Sequence, residues 1–227
     1  RAHTKRVSAC VISPDGKFII SASHDKTCKI WDAVTGIERA TLSGHTNGVR
    51  SCEISLDGKF IVSTSQDNTC KIWDAATGTE RISLKGHTDW VTACAISSSG
   101  DFVVSASNDK TCKIWNTATG TLRATLKHTN WVRDCKISPN GDFVVSASFD
   151  NTCKIWDSTT GTIRATLKHT DWVEACAISP DGKFVVTASK DNTCKIWDTS
   201  TGMALATLKH NNWAKACAIS PDGKFIV

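Results

Sequence analysis

The chain lacks most of the features that would mark it as a membrane protein, a metalloprotein or an enzyme. No apolar run approaches the length needed to cross a bilayer as a helix, so a membrane partner is not expected. No Cys-x-x-Cys occurs, which leaves a zinc site with little support, and no metal or cofactor is expected. Neither a phosphate-cradling loop nor a unique nucleophile is visible, so the chain does not read as an enzyme. Clustered charge is missing too. The net charge is +5, but Lys29, Lys71, Lys113, Lys154 and Lys195 all hold one place in a repeat and are therefore spread apart. Nucleic acid would require clustering, and a solvated surface is the simpler reading. No secretory leader opens the chain; Arg1-Ala2-His3-Thr4 looks like the middle of a repeat, which leaves a lost leader open.

What is present is repetition. Asp150-Asn151-Thr152-Cys153-Lys154-Ile155-Trp156-Asp157 returns as Asp25–Asp32, Asp67–Asp74, Asp109–Asn116 and Asp191–Asp198. The eleven cysteines fall into two columns of the same repeat. Cys10, Cys52, Cys94, Cys135, Cys176 and Cys217 occupy a first strand; Cys28, Cys70, Cys112, Cys153 and Cys194 occupy a third. Both columns suit a small buried apolar residue. Disulfides are disfavoured, since first and third strands are not neighbours, and reduced thiols point to an intracellular, cytoplasmic protein, with the nucleus also open.

The first unit is the template. Val7–Ser13 alternates as a strand, and Pro14-Asp15-Gly16-Lys17 is a tight turn. Phe18–Ser23 is a second, largely buried strand. His24-Asp25-Lys26 leads to the third, Thr27–Asp32, and Ala33–Gly36 to the fourth, Glu38–Ser43. Four short antiparallel strands at a period near forty are the signature of a propeller blade.

These residues resemble the WD40 repeat family closely: Gly44-His45 opens a unit, Trp31-Asp32 closes a third strand, and a lone Asp precedes that strand. The resemblance covers essentially the whole chain. It implies an all-β propeller and a buried polar tetrad in every blade. Carried over, the tetrads are His3, Ser21, Asp25 and Trp31; His45, Ser63, Asp67 and Trp73; and His87, Ser105, Asp109 and Trp115. The last two are His128, Ser146, Asp150 and Trp156, and His169, Thr187, Asp191 and Trp197. Recurrence beside the same Trp makes them structural networks and not Ser-His-Asp catalytic sites.

The units run about 3–44, 45–86, 87–127, 128–168 and 169–209, with a partial sixth at 210–227. The opening Gly present at Gly44 and Gly86 is absent before His128, His169 and His210, so the period falls by one. Five complete blades and the first two strands of a sixth are expected. A half-blade would leave an open edge, so the chain reads as part of a larger ring, seven blades being commonest in the family. A self-completing oligomer that shares strands is the minority reading.

The family also implies that loops joining fourth to first and second to third strands form one rim, which commonly receives peptides or loops of partner proteins. Trp90, Trp131, Trp172 and Trp213 share one column there, after Arg6 and Gly48. Trp is favoured in binding hot spots, although these rings could equally pack on the following loop. Arg50, Arg133 and Glu174 flank the column, and Lys190 and Phe149 precede turn aspartates. Phe149 is off-pattern in a normally polar loop and is expected to be exposed beside Trp131 and Arg133. The leading reading is a non-catalytic scaffold binding a protein or peptide on this rim, as part of a longer signalling or assembly protein. Alternatives are a purely structural module whose Trp ring is internal packing, and single-stranded nucleic-acid binding through stacked Trp with Arg50 or Arg133.

Overall fold

The computed structural model describes residues 2–227. Among them all regular secondary structure is β, in five sheets of four strands. The first blade is β1 (Val7–Ile12), β2 (Phe18–Ser23), β3 (Thr27–Asp32) and β4 (Glu38–Ser43). The second is β5 (Val49–Ile54), β6 (Phe60–Ser65), β7 (Thr69–Asp74) and β8 (Glu80–Lys85). The third is β9 (Val91–Ile96), β10 (Phe102–Ser107), β11 (Thr111–Asn116) and β12 (Leu122–Lys127). The fourth is β13 (Val132–Ile137), β14 (Phe143–Ser148), β15 (Thr152–Asp157) and β16 (Ile163–Lys168). The fifth is β17 (Val173–Ile178), β18 (Phe184–Ser189), β19 (Thr193–Asp198) and β20 (Ala204–Lys209). Neighbours in sequence pair antiparallel throughout.

Turn chemistry sets the registers. Between second and third strands, Lys26, Asn68, Lys110, Asn151 and Asn192 adopt φ of 66–76°. Asn tolerates this left-handed conformation better than most residues. The preceding Asp holds the turn from its own side chain: Asp25 Oδ1 accepts the Thr27 amide at 3.1 Å and the Thr27 hydroxyl at 2.7 Å.

The core lies between blades. One cluster joins Ile20, Ile30 and Leu42 of the first blade to Val49, Cys52, Ile61 and Trp73 of the second, and equivalent clusters follow at the next three interfaces. The first strands β1, β5, β9, β13 and β17 pack successively on one another and are the innermost. Their cysteines bridge blades: Cys135 Sγ lies 3.7 Å from the Val104 carbonyl and Cys176 Sγ 4.0 Å from that of Val145. All eleven thiols are free. Cys10 departs from the expected burial and is exposed, because no blade among the described residues lies against the outer face of the first. Leu208 is likewise uncovered where Leu42, Leu84, Leu126 and Leu167 are fully buried.

The sixth unit does not form the expected pair of strands. Residues 210–227 make a single bridge, Ile219 with Ile226, and leave Phe225 and Val227 exposed. A two-stranded ribbon without a third strand buries too little apolar surface to hold a ladder.

Candidate partner-binding face

The tetrads assemble in all five blades with one geometry. His128 Nδ1 lies 2.7 Å from Asp150 Oδ2, its Nε2 2.7 Å from Ser146 Oγ, and Trp156 Nε1 donates to the same Oγ at 2.7 Å. Because the indole N–H donates to Oγ, the hydroxyl proton is free for His Nε2, and Nδ1–H then donates to the carboxylate. His3, His45, His87 and His169 repeat these contacts with Asp25, Asp67, Asp109 and Asp191, and with Ser21, Ser63, Ser105 and Thr187. Trp31, Trp73, Trp115 and Trp197 donate to those hydroxyls. Burial alone would raise the Asp109 carboxyl, but hydrogen bonds from His87 and Thr111 hold it at about 2. Burial keeps His128 and His169 below the usual imidazole value, hence neutral at pH 7. Ser146 Oγ is buried between two rings, where it closes a hydrogen-bond chain and meets no solvent.

The lysine column is not the solvated surface expected. Lys71 and Lys113 are buried. Lys71 reaches Glu80 at 2.7 Å, Lys154 and Lys195 donate to the Lys127 and Lys168 carbonyls at 3.1 Å, and Lys154 Nζ stands 5.3 Å over the Trp156 ring. Their aliphatic stems cover the tetrad indoles while their charges are spent locally.

Both rim columns are placed by the turns that precede the first strands. The residue after the opening Val is a β-bulge in every blade: Val132 pairs with Ser148 and Asp134 with Ala147, leaving Arg133 unpaired. Arg50 and Glu174 are the same bulge in β5 and β17. A bulge re-aims its side chain out of the ladder. Where the bulge is Ser8 or Thr92, the hydroxyl instead ties to the next blade, donating to Val49 O at 2.6 Å and Val132 O at 2.7 Å.

Around the rim the Trp column alternates with the residue before each turn Asp. Phe149 is 9% exposed, which corrects the expectation that it is a surface side chain. It is intercalated, stacked on Trp172 with centroids 4.2 Å apart and planes 12° apart, and 6.1 Å from Trp131. Lys190 continues the pile, with Nζ 3.9 Å from the Trp172 ring and 4.4 Å from that of Trp213. Arg133 lies 5.4 Å from the Phe149 ring, and Glu174 sits 3.8 Å from Arg133 and 3.7 Å from Lys190. Trp131, Trp172 and Trp213 remain 44%, 37% and 53% exposed. Trp90 is also exposed but stands outside the stack. Arg50 has no ion-pair partner among the described residues; burial first, then Arg133 and Arg6, weaken its hold on its proton.

Three charged residues went unnoticed in the sequence. Glu53, Asp134 and Lys136 lie on the inner strands, within electrostatic reach of one another between the second and fourth blades. Asp134 accepts the Cys135 amide at 2.9 Å and the Cys176 amide at 3.1 Å, and pairs with Lys136 at 3.1 Å. Column comparison would have found them: Glu53 and Lys136 replace Val11, Ala95, Ala177 and Ala218, and Asp134 replaces Ala9, Ser51, Ala93 and Ala175.

Residues 1–32, 36–74, 78–116, 120–157 and 161–198 match the family model described as WD domain, G-beta repeat. The model's repeat runs from the fourth strand of one blade to the third of the next, one strand out of phase with the sheets. Among curated proteins the chain is similar to MST50-interacting protein 11 of Pyricularia oryzae, 50% identical over 36 residues, 16% of this chain and 11% of that one. It is also similar to U3 small nucleolar RNA-associated protein 13 of Saccharomyces cerevisiae, 45% identical over 42 residues, 18% and 5% of the two chains. Protein Mut11 of Chlamydomonas reinhardtii is 53% identical over 34 residues, 15% and 9%. The matches thus span about a tenth or less of the length of these relatives.

Proposed function

The chain belongs to the WD40 family, the WD domain with G-beta repeat, and from that premise we propose a scaffold without catalytic activity that binds a protein or peptide through its Trp-bearing rim. Family membership supports a protein-interaction or assembly scaffold. The rim assignment rests on the Trp131–Phe149–Trp172–Lys190–Trp213 pile, ordered by its own stacking while its three Trp rings stay 37–53% exposed. A pre-stacked aromatic platform offers a partner large contact area at little further cost in side-chain entropy. Free thiols on every inner strand suit a reducing, intracellular setting. The structural-module reading draws on the same stack, since Phe149 and Lys190 do pack against Trp172.

Trp131→Ala and Trp172→Ala separate the two. Loss of partner capture at unchanged Tm supports recognition, whereas a fall in Tm with capture retained supports packing. Tight, steeply salt-dependent binding of a single-stranded oligothymidylate would instead favour a nucleic-acid partner.

A further inference from the structure

Two departures from the repeat coincide in the second blade. Glu53 stands in an inner-strand column otherwise filled by Val11, Ala95, Lys136, Ala177 and Ala218. Leu56 stands at the first turn, where Pro14, Pro139, Pro180 and Pro221 occur in four units and Ser98 in another. Both line one cleft of about 290 Å³, with Val11, Ile12, Ile54 and Ile96. The cleft opens at the C-terminal ends of β1, β5 and β9, a strand length (roughly 17 Å) from the Trp rim. Its volume is at the small end for ligand pockets and suits one long side chain better than a cofactor.

The cleft has an apolar side, from Val11, Ile12, Pro14, Ile54, Leu56 and Ile96, and a polar side, from Glu53, Ser97 and Ser98, and no Lys or Arg lines it. Leu56 is 67% exposed, and Ile12 is also uncovered. Glu53 has neither a hydrogen bond nor an ion pair among the described residues, because the nearby ammonium of Lys136 is committed to Asp134 at 3.1 Å. When Glu53 ionises, two carboxylates face one ammonium, and the set lacks one cation. We propose that this cleft is a second docking site, taking a Lys or Arg side chain of a protein partner with an adjacent apolar residue laid against Leu56 and Ile12. The incoming cation completes the charge balance at Glu53, and the aliphatic stem and its neighbour cover the exposed apolar walls.

Burial pushes the Glu53 carboxyl up to about 7, so the empty site holds a proton through mildly acid pH. Capture of a cation must release that proton and therefore strengthens as pH rises through 7. The other titratable groups in reach do not compete over that range. Lys136 is held protonated by Asp134. Burial pushes the thiol of Cys52 up to about 12 and that of Cys94 well above its ordinary value, so both stay protonated.

The test uses methyl NMR of the whole chain with acetyl-Leu-Lys-Leu-amide as probe and acetyl-Leu-norleucine-Leu-amide as its uncharged twin. The expected result is saturable shifts at Leu56, Ile12 and Ile96, with the Lys probe binding at least tenfold more tightly at pH 8 and losing that advantage by pH 6. Glu53→Gln should abolish the preference, and Leu56→Pro should weaken both probes alike. Trp131→Ala should leave these shifts intact, which keeps failure here distinct from failure of the rim as a binding face. Equal binding of the two probes, or a preference that survives Glu53→Gln, overturns the proposal. Butylammonium chloride binding as tightly as the Lys probe overturns the peptide occupant in favour of a free amine.

Discussion

Replacing Glu53 by Gln should change how stability depends on pH. In the folded chain burial holds this carboxyl up to about 7, against 4.5 for an ordinary glutamate; Lys136 pulls the value down, Asp134 pushes it up, and burial outweighs both. Between those two values the folded chain keeps a proton that the unfolded chain has already released. Stability from this group is therefore present below pH 4.5 and lost as pH rises through 7. Each pH unit in the window is worth about 1.4 kcal/mol, so the loss by pH 8 is roughly 3 kcal/mol. For a chain of this size that corresponds to about 6–12 °C in Tm. The Gln side chain is neutral throughout and removes the effect. Thermal melts of both proteins from pH 4 to 8 should nearly coincide at pH 4 and diverge above about 4.5, with the variant more stable at pH 8. The tetrad aspartates do not contribute to that divergence: they are common to both proteins, and Asp109 and Asp191 titrate at about 2. Parallel curves across the window would refute the claim that Glu53 is an unpaired carboxyl whose desolvation raises its hold on a proton.

Ser146→Ala removes the acceptor of the Trp156 indole and the partner of His128 Nε2. With two buried polar groups unpaired, urea unfolding should show a loss of about 2–4 kcal/mol. Ser146→Thr, the chemistry that Thr187 already provides in the fifth blade, should cost under about 1 kcal/mol. A loss below about 0.5 kcal/mol on Ser146→Ala would count against the network. For the thiols, a chromogenic disulfide reagent at pH 8 should modify Cys10 first and the partly buried Cys217 slowly, while the nine buried cysteines react only on unfolding. Rapid modification of more than two would contradict the inter-blade packing.

The strands, the tetrads and the blade period were legible because each is written five times in register, so local accidents average out. The turn Asp and the indole that ends the third strand were readable as a network for the same reason. What escaped was whatever depends on one blade meeting the next. Phe149 looked exposed because its loop position is polar in other units, yet the neighbouring blade supplies Trp172 to cover it. Lys71 and Lys113 looked solvated because a charge was counted without the indole beneath its stem. The bulge at Arg50, Arg133 and Glu174 was hidden as well, since alternation alone does not reveal an extra residue in a strand. Glu53 and Asp134 needed only a column-by-column comparison of inner strands, the part of the repeat that looked most uniform.

The bulge has a bearing on how such a surface diversifies. Because the bulged residue has no ladder partner, its identity is uncoupled from strand register: Ser8, Arg50, Thr92, Arg133 and Glu174 occupy it with the same pairing on either side. A hydroxyl, either charge sign and a range of sizes are all accommodated there within one chain. Substitution at this position alters what the rim presents without shifting strand register, except that Ser8 and Thr92 commit their hydroxyls to a tie with the next blade and so trade recognition for inter-blade cohesion.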